Sequence, residues 1–177
     1  MSATTTVPTP LTEVWRWLSD IPDPELPAVS IVELGIVRDV QQGEDSRILV
    51  TVTPTYSGCP ATEVIASAIR EALEGHGIVD PRVETRLSPA WTTDWLTPEA
   101  KEKLRRYGIA PPAGLASNEQ VIDARRILRY RPGAERICCP RCDSPRTELI
   151  SAFGSTPCKA LYRCTACREP FDYFKPH

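Results

Sequence analysis

Residues 54–77 read PTYSGCPATEVIASAIREALEGHG, and this stretch predicts the best-defined element of the chain. Proline suits the first turn of a helix, so Pro60 marks a start beside Cys59, and the glycine after His76 marks the end. The apolar residues between these points recur at the spacing of one helix face: Val64, Ile65, Ala68, Ile69, Ala72 and Leu73. We therefore predict an amphipathic helix with a cysteine at its N-terminal end.

The segments on either side of this helix predict a small α+β domain. Residues 35–40 and 47–53 are rich in β-branched side chains and predict a β-hairpin. The other predicted elements are a short helix after Pro10, an extended proline-rich loop over 21–27, a strand over 81–87 and a helix over 97–108. The order of helix, hairpin, helix, strand and helix is assigned to one domain, residues 1–108.

Six of the seven cysteines lie in the last forty residues, and four of these form two Cys-x2-Cys pairs. The pairs are separated by twenty-one residues, close to the spacing of a four-cysteine zinc ribbon, and consist of Cys139, Cys142, Cys164 and Cys167. Two facing pairs complete a tetrahedron around one ion, and a module this small needs a metal for stability. We predict a zinc-ribbon-like β module over 135–177 with a structural zinc, joined to the first domain by a linker over 109–134. Thiolate ligands alone also suit iron, so the spacing leaves the metal open between zinc and iron.

Two further cysteines of this module exceed the needs of a four-ligand site. Cys138 and Cys158 are each interpreted as a small buried side chain or as an exposed thiol, although Cys138 could replace Cys139 as the first ligand. With no recognisable export signal at the N-terminus, metal or thiol chemistry is a better interpretation of seven cysteines than a disulfide framework.

Cys59 is the seventh cysteine, and it stands apart at the start of the central helix. Free backbone amides and the positive end of the helix dipole stabilise a thiolate there, and the thiolate is the form that attacks or binds metal. The alternative is a core cysteine packed under the helix start. Earlier in the chain, the prolines of residues 21–27 hold Asp23 and Glu25 in a rigid loop, which either points both carboxylates toward Cys59 or exposes them at the surface.

Composition and motifs exclude several classes of function. No run approaches the ~18 apolar residues of a membrane span, so we expect a protein of the cytoplasm without a membrane partner. A pI near 5.8 opposes nucleic-acid binding, although four arginines between residues 125 and 131 favour it. The sequence holds no phosphate loop, no dinucleotide fingerprint and no Glu-x-x-His pair of a di-iron site, so oxygenase or reductase chemistry is not expected of this chain.

Three segments of the first domain resemble a known family. They are Asp23-Pro24-Glu25-Leu26-Pro27, Glu33-Leu34-Gly35-Ile36-Val37 and the region from Thr53 through Ser57-Gly58-Cys59-Pro60. In order and spacing they resemble the small iron-sulfur-assembly domain of SufT-like proteins and of the cytosolic iron-sulfur targeting complex, over about residues 10–105. The resemblance implies that Cys59, with Asp23 and Glu25, takes part in cluster or iron transfer.

The whole chain resembles the D-subunit family of the bacterial phenylacetyl-CoA epoxidase system. The resemblance rests on the order of the two domains and on residues 155–160 and 169–175 around the second cysteine pair. It implies a non-enzymatic accessory protein that matures an iron-sulfur cluster or di-iron centre in the reductase or oxygenase partners of aerobic phenylacetate degradation. The alternative is a non-catalytic structural subunit of the same complex, and the sequence leaves open whether the chain forms a homodimer.

Overall fold

The computed structural model describes residues 10–43, 47–112 and 137–176. Its backbone contacts divide the chain into two units, an N-terminal unit over Met1–Trp91 and a C-terminal unit over Thr92–His177. Most of the predicted linker, residues 113–134, lies outside the described residues. Within the described residues, no helix combines the length and the apolar character needed to cross a membrane.

In the N-terminal unit the described residues form a three-stranded sheet and two helices. Its elements are α1 (Leu11–Ser19), β1 (Val37–Gln42), β2 (Ile48–Val52), α2 (Ala61–Gly75) and β3 (Arg82–Thr85). The strands lie in the order β1-β2-β3. β1 and β2 form the predicted antiparallel hairpin, whereas β3 pairs with β2 in parallel, with Val50 opposite Val83. A parallel pair needs a crossover connection, and α2 provides it.

Burial on the helices follows the predicted periodicity. α1 buries Val14 and Leu18, and α2 buries Ile65, Ile69 and Leu73. These side chains leave water together with those of β1 and β2, which stabilises the unit by roughly 25 cal/mol for each Å² of apolar surface buried. The α+β order predicted for this part of the chain is therefore confirmed, and it places Cys59 in the turn that leads into α2.

The described part of the C-terminal unit contains a four-stranded sheet and one α-helix. A 3₁₀ turn (Thr93–Trp95) is followed by α3 (Pro98–Tyr107), β4 (Ile109–Ala110), β5 (Thr147–Ser151), β6 (Lys159–Cys164) and β7 (Pro170–Phe174). The sheet order is β4-β7-β6-β5. Its core includes a cluster of eight described residues that are buried: Ala110, Ile137, Cys139, Ala160, Tyr162, Cys164, Phe171 and Tyr173.

The division of the chain differs from the predicted boundary at residue 108, because α3 belongs to the C-terminal unit. The helix begins at a Thr97 cap, whose Oγ1 accepts a hydrogen bond from the Ala100 amide at 3.1 Å. It ends at Gly108, whose φ of 93° suits the left-handed position at a helix end. The chain then runs directly into β4, which pairs in parallel with β7, so α3 is tied to the ribbon sheet.

Candidate functional site

Four cysteines converge in the C-terminal unit. The Sγ atoms of Cys139, Cys142, Cys164 and Cys167 all lie within 4.8 Å of one another. Cys139 Sγ is 3.8 Å from Cys167 Sγ, and Cys142 Sγ is 3.6 Å from Cys164 Sγ. A tetrahedral zinc with Zn–S bonds of about 2.3 Å requires sulfurs about 3.8 Å apart. The donor set and its spacing therefore fit a single tetrahedral ion.

The two cysteine pairs share a backbone design. The residue after each pair, Asp143 or Arg168, has a positive φ of 59° or 66°. In the first pair the Cys139 amide donates to the Ser144 carbonyl at 3.0 Å, and in the second the Cys164 amide donates to the Glu169 carbonyl at 3.0 Å. These left-handed turns reverse the chain tightly, so both thiols of a pair face the same point.

The electrostatics of the group favour a bound cation. The Cys167 amide donates to the Cys164 sulfur, which lowers the pKa of that thiol to about 6. At Cys142 the Ser144 amide favours the thiolate, but desolvation and hydrogen bonds with the three other cysteines raise its pKa to about 12. Deprotonation of the Cys164 thiol is therefore favoured, whereas deprotonation of Cys142 is disfavoured. A divalent cation removes this opposition, because it compensates the charge of all four sulfurs.

The two surplus cysteines lie outside this group. Cys138 is exposed, whereas the neighbouring Cys139 is buried and belongs to the group of four. Cys158 is also buried, and its Sγ lies 3.0 Å from the Thr156 hydroxyl. The geometry therefore gives the first position of the group to Cys139 rather than to Cys138.

Cys59 occupies the last position of a β-turn in the N-terminal unit. Its amide donates to the Tyr56 carbonyl at 3.3 Å, and Gly58 has a φ of 85°. A turn of this form requires a positive φ at its third residue, which glycine adopts without strain. The Thr62 amide then donates to the Cys59 carbonyl at 3.2 Å, so the thiol stands at the entry to α2 and is half-buried.

The net effect on the pKa of Cys59 is opposite to the one that the helix start alone predicts. Burial raises the pKa of the thiol, and the negative charges of Glu25 and Asp23 raise it further. The Ala61 amide and the Tyr56 side chain lower the pKa, but they do not outweigh the burial. Cys59 is therefore mainly a neutral thiol near pH 7 in the absence of a bound cation.

Asp23 and Glu25 act on Cys59 from the proline-rich loop. Asp23 is buried, and its Oδ1 accepts hydrogen bonds from the amides of Glu25 at 2.9 Å and Leu26 at 2.8 Å. Glu25 is half-buried. The loop thereby brings both carboxylates close enough to raise the pKa of Cys59, although Cys59 and Glu25 are far apart in the sequence.

The structure adds contacts that the sequence patterns did not identify. Ser30 and Glu33 form a reciprocal cap, in which the Ser30 amide donates to Glu33 Oε2 at 3.0 Å and the Glu33 amide donates to Ser30 Oγ at 3.2 Å. The Ser-x-x-Glu spacing could have indicated this cap. His76 ends α2 as predicted, and its ring also stacks on Trp17 at 4.1 Å between centroids.

Comparison with known proteins places these two sites in two known domain families. Residues 11–84 match the model described as "Iron-sulfur cluster assembly protein", and residues 127–175 match the "PaaD zinc beta ribbon domain". A protein of Escherichia coli (strain K12), named as the D component of a "Putative 1,2-phenylacetyl-CoA epoxidase", is 51% identical over 97% of this chain and 96% of its own length. The chain belongs to this epoxidase D-component family. The resemblance stated from the sequence is thus confirmed, and the chain carries a zinc ribbon domain with four cysteines positioned to bind a metal.

Other relatives match about half of the chain. "Fe-S protein maturation auxiliary factor YitW" of Bacillus subtilis (strain 168) is 38% identical over 48% of this chain and 82% of its own length. Among solved structures, a "Domain of Unknown Function DUF59" from Bacillus anthracis is 30% identical over 52% of this chain and 89% of its own, with a TM-score of 0.49. The D-component chain thus combines an iron-sulfur assembly domain with a second, metal-binding domain.

Proposed function

We propose that this protein is a cytoplasmic accessory component of a phenylacetyl-CoA epoxidase system, and that it delivers iron or an iron-sulfur cluster to the oxygenase or reductase partner. It does not oxidise the substrate itself. Membership of the epoxidase D-component family supports the link to the epoxidase. The iron-sulfur cluster assembly domain and its maturation-factor relatives support the delivery role.

One observation carries the proposal, namely the grouping of a half-buried thiol with two carboxylates. Cys59, Asp23 and Glu25 are within electrostatic reach of each other at the entry to α2. One soft sulfur and two hard oxygen donors suit iron, but they leave coordination positions for a second molecule. Such an incomplete donor set favours a cargo that is held briefly and then passed to the acceptor protein.

The raised pKa of Cys59 fits transient binding. A thiol must lose its proton when it binds a metal, so a high pKa reduces the net affinity at neutral pH. The two carboxylates oppose a bare thiolate and attract a cation, so they couple deprotonation of Cys59 to arrival of the cargo. The empty site stays protonated, and its thiol is protected from the oxidation that a thiolate invites.

The ribbon site serves the fold in this proposal. Cys139, Cys142, Cys164 and Cys167 would hold a structural zinc, since four thiolates close the coordination sphere and leave no position for a substrate. The bound ion would supply the folding free energy that the small ribbon core lacks. Its contribution to delivery is to present the surface of the C-terminal unit in one conformation.

The experiment distinguishes a protein that acts before the oxygenase turns over from one that is needed throughout turnover. Oxygenase and reductase are purified from cells that lack this protein, and their iron and cluster contents are measured before and after chemical reconstitution. We expect low metal content and a return of activity after reconstitution without this protein. Fully metallated partners that need stoichiometric addition of this chain would contradict delivery.

That contrary result would favour the second candidate, a structural subunit of the complex. The observation that favours this candidate is the exposure of two large apolar side chains in the ribbon, Ile150 at 51% and Phe153 at 67%. Exposed apolar side chains of this size suit a protein interface. In this case Cys59 would have no role in the complex.

A further inference from the structure

The outward side of α2 begins beside Cys59. The Thr62 amide donates to the Cys59 carbonyl at 3.2 Å, so the residue that carries the thiol lies at the first turn of the helix. One side of α2 is buried, and the residues that follow the helical spacing on the opposite side are exposed. We call these exposed residues the α2 face: Pro60, Glu63, Val64, Ser67, Glu71 and Glu74.

Val64 is a large apolar side chain on the α2 face. It is 56% exposed, and it follows Cys59 by five residues, which corresponds to a rise of about 8 Å along a helix. The exposed ring of Pro60 adds apolar surface one turn earlier. An exposed apolar residue alone is common on protein surfaces, so the charges around Val64 must decide whether the face binds a partner.

Three glutamates of the α2 face have no cationic partner. In the part of the chain that the structure describes, no ion pair or hydrogen bond joins the side chain of Glu63, Glu71 or Glu74 to another residue. α2 itself contains one cationic residue, Arg70, against these three. Other acidic side chains of the N-terminal unit do pair with an arginine, namely Glu13, Asp80 and Glu84. The α2 face therefore combines an apolar centre with negative charge that nothing described here neutralises.

We propose that the α2 face is the docking surface for the acceptor protein, and that the acceptor meets it with basic side chains around an apolar recess for Val64. The inference rests on the proposed function, since delivery brings the ligands of the acceptor to the thiol of Cys59. Metal–sulfur bonds are only about 2.3 Å long, so the acceptor must cover the surface next to Cys59. Opposite charges across such an interface raise the rate of encounter and disfavour acidic competitors.

The size of the α2 face fits a complex that forms and dissociates. α2 has 15 residues, so the face is about 22 Å long and about 10 Å wide. A standard stable interface covers about 800 Å² on each partner, which is much more than one helix face offers. A complex held mainly by this face dissociates readily, as a protein that serves many acceptor molecules in turn requires.

The first test removes the apolar centre of the α2 face. Oxygenase and reductase purified from cells that lack this protein are the acceptors. Their affinities for full-length, zinc-loaded wild type and Val64→Ser are measured by surface plasmon resonance. We expect the affinity for at least one acceptor to fall about tenfold, because the apolar side chain is no longer there to leave water on binding.

Val79→Ser is the matched control for this test, since Val79 is 81% exposed and lies beyond the end of α2. It should bind the acceptors as the wild type does. An unchanged affinity in a Val64→Ser protein that melts like the wild type would overturn the inference. A wild-type protein that binds neither acceptor would overturn it as well.

The second test reverses one charge of the α2 face. Glu71→Lys should slow association with the acceptor about tenfold at low salt, and high salt should remove most of the difference, because exposed charges are screened. Glu84→Lys makes the same change of net charge on β3 and should slow association much less. Equal slowing by both variants would show a general charge effect and contradict docking at this face.

A third measurement does not depend on how these variants fold. A photoreactive benzoylphenylalanine is placed at position 67, between Val64 and Glu71 on the α2 face, or at position 79 as the control. We expect light to cross-link the acceptor at position 67 and not at position 79. A wild-type-like affinity without cross-linking at position 67 would place the docking surface elsewhere.

A second copy of this chain is the competing occupant of the α2 face. Light scattering reports the mass of wild type and Val64→Ser in solution. A wild-type dimer that Val64→Ser converts to a monomer with unchanged acceptor affinity would assign the face to self-association and overturn the inference.

The docking surface and the delivery function fail separately. Weak binding of Val64→Ser together with full cluster content in the partners of a Cys59→Ser strain keeps the docking surface and removes delivery. Unchanged binding of Val64→Ser together with depleted partners in the Cys59→Ser strain keeps delivery and removes the α2 face from it.

Discussion

The indole nitrogen of Trp91 donates a hydrogen bond of 2.9 Å to the Leu34 carbonyl, which lies 57 residues earlier in the chain. Trp91 is only 4% exposed and ends the N-terminal unit. Leu34 follows the Ser30–Glu33 cap, and its amide donates to the Ser30 carbonyl at 3.0 Å. The last residue of the unit therefore fastens the loop that follows Asp23 and Glu25.

Trp91→Phe should loosen this loop. The Leu34 carbonyl would lose its indole donor in a buried position, at a cost of about 1–3 kcal/mol, and the smaller ring would leave a void. Amide hydrogen exchange over residues 30–36 should become faster. Trp95→Phe, in the C-terminal unit, is the control and should leave exchange in this loop unchanged.

Metal removal should unfold the ribbon and spare the N-terminal unit. We expect about one zinc per chain, since four thiolates form one closed site. Chelation under reducing conditions, or Cys164→Ser, should collapse the NMR amide dispersion of residues 137–176 while the N-terminal amides keep theirs. Native dispersion of the ribbon in metal-free protein would show that its core suffices without the ion.

Cys59→Ser should separate folding from delivery. Serine is nearly isosteric with cysteine, so the purified variant should melt within a few degrees of the wild type, but it lacks the soft donor that iron prefers. In cells, the iron and cluster contents of the partner proteins should fall. Cys138→Ser removes an exposed thiol outside the group of four and should change neither quantity. Normal partner metallation in the Cys59→Ser strain would reduce Cys59 to a packing residue.

The carboxylates should shift the pH dependence of Cys59 in a known direction. Negative charge on Glu25 and Asp23 raises the pKa of the thiol, so neutralising either one should lower that pKa. Glu25→Gln and Asp23→Asn should therefore move the iodoacetamide alkylation profile of Cys59, followed by mass spectrometry on the tryptic peptide of residues 48–70, toward lower pH and speed the reaction near pH 8. Asparagine keeps the Oδ1 acceptor for the amides of Glu25 and Leu26, so the loop should persist. A profile that moves to higher pH would contradict this electrostatic coupling.

Most of the fold could be predicted from local sequence patterns. The apolar periodicity before Leu73 predicted α2, and the spacing of the Cys-x2-Cys pairs predicted the ribbon. Both patterns follow directly from the local geometry of the backbone. The assignment of α3 to a unit depended on β4 pairing with the distant strand β7, which no local pattern encodes. For this reason the predicted domain boundary differs from the observed division after Trp91.

The electrostatics of the candidate site needed the tertiary structure. Sequence reasoning identified the amides that favour a Cys59 thiolate, but it could not weigh them against burial and two carboxylates from another loop. Its place before the central helix made Cys59 a candidate, the family resemblance added Asp23 and Glu25, and only the fold gave the sign of their interaction.

The place of β7 in its sheet bears on how the protein is made on the ribosome. β7 lies between β4 and β6, and Phe171, Tyr173 and Phe174 of this strand are buried. Among the described strands it is translated last, after all four cysteines of the ribbon group have been synthesised. β4 and β6 are joined only through β7, so the β4–β7 pairing that ties α3 to the ribbon cannot form until the last described strand has been synthesised.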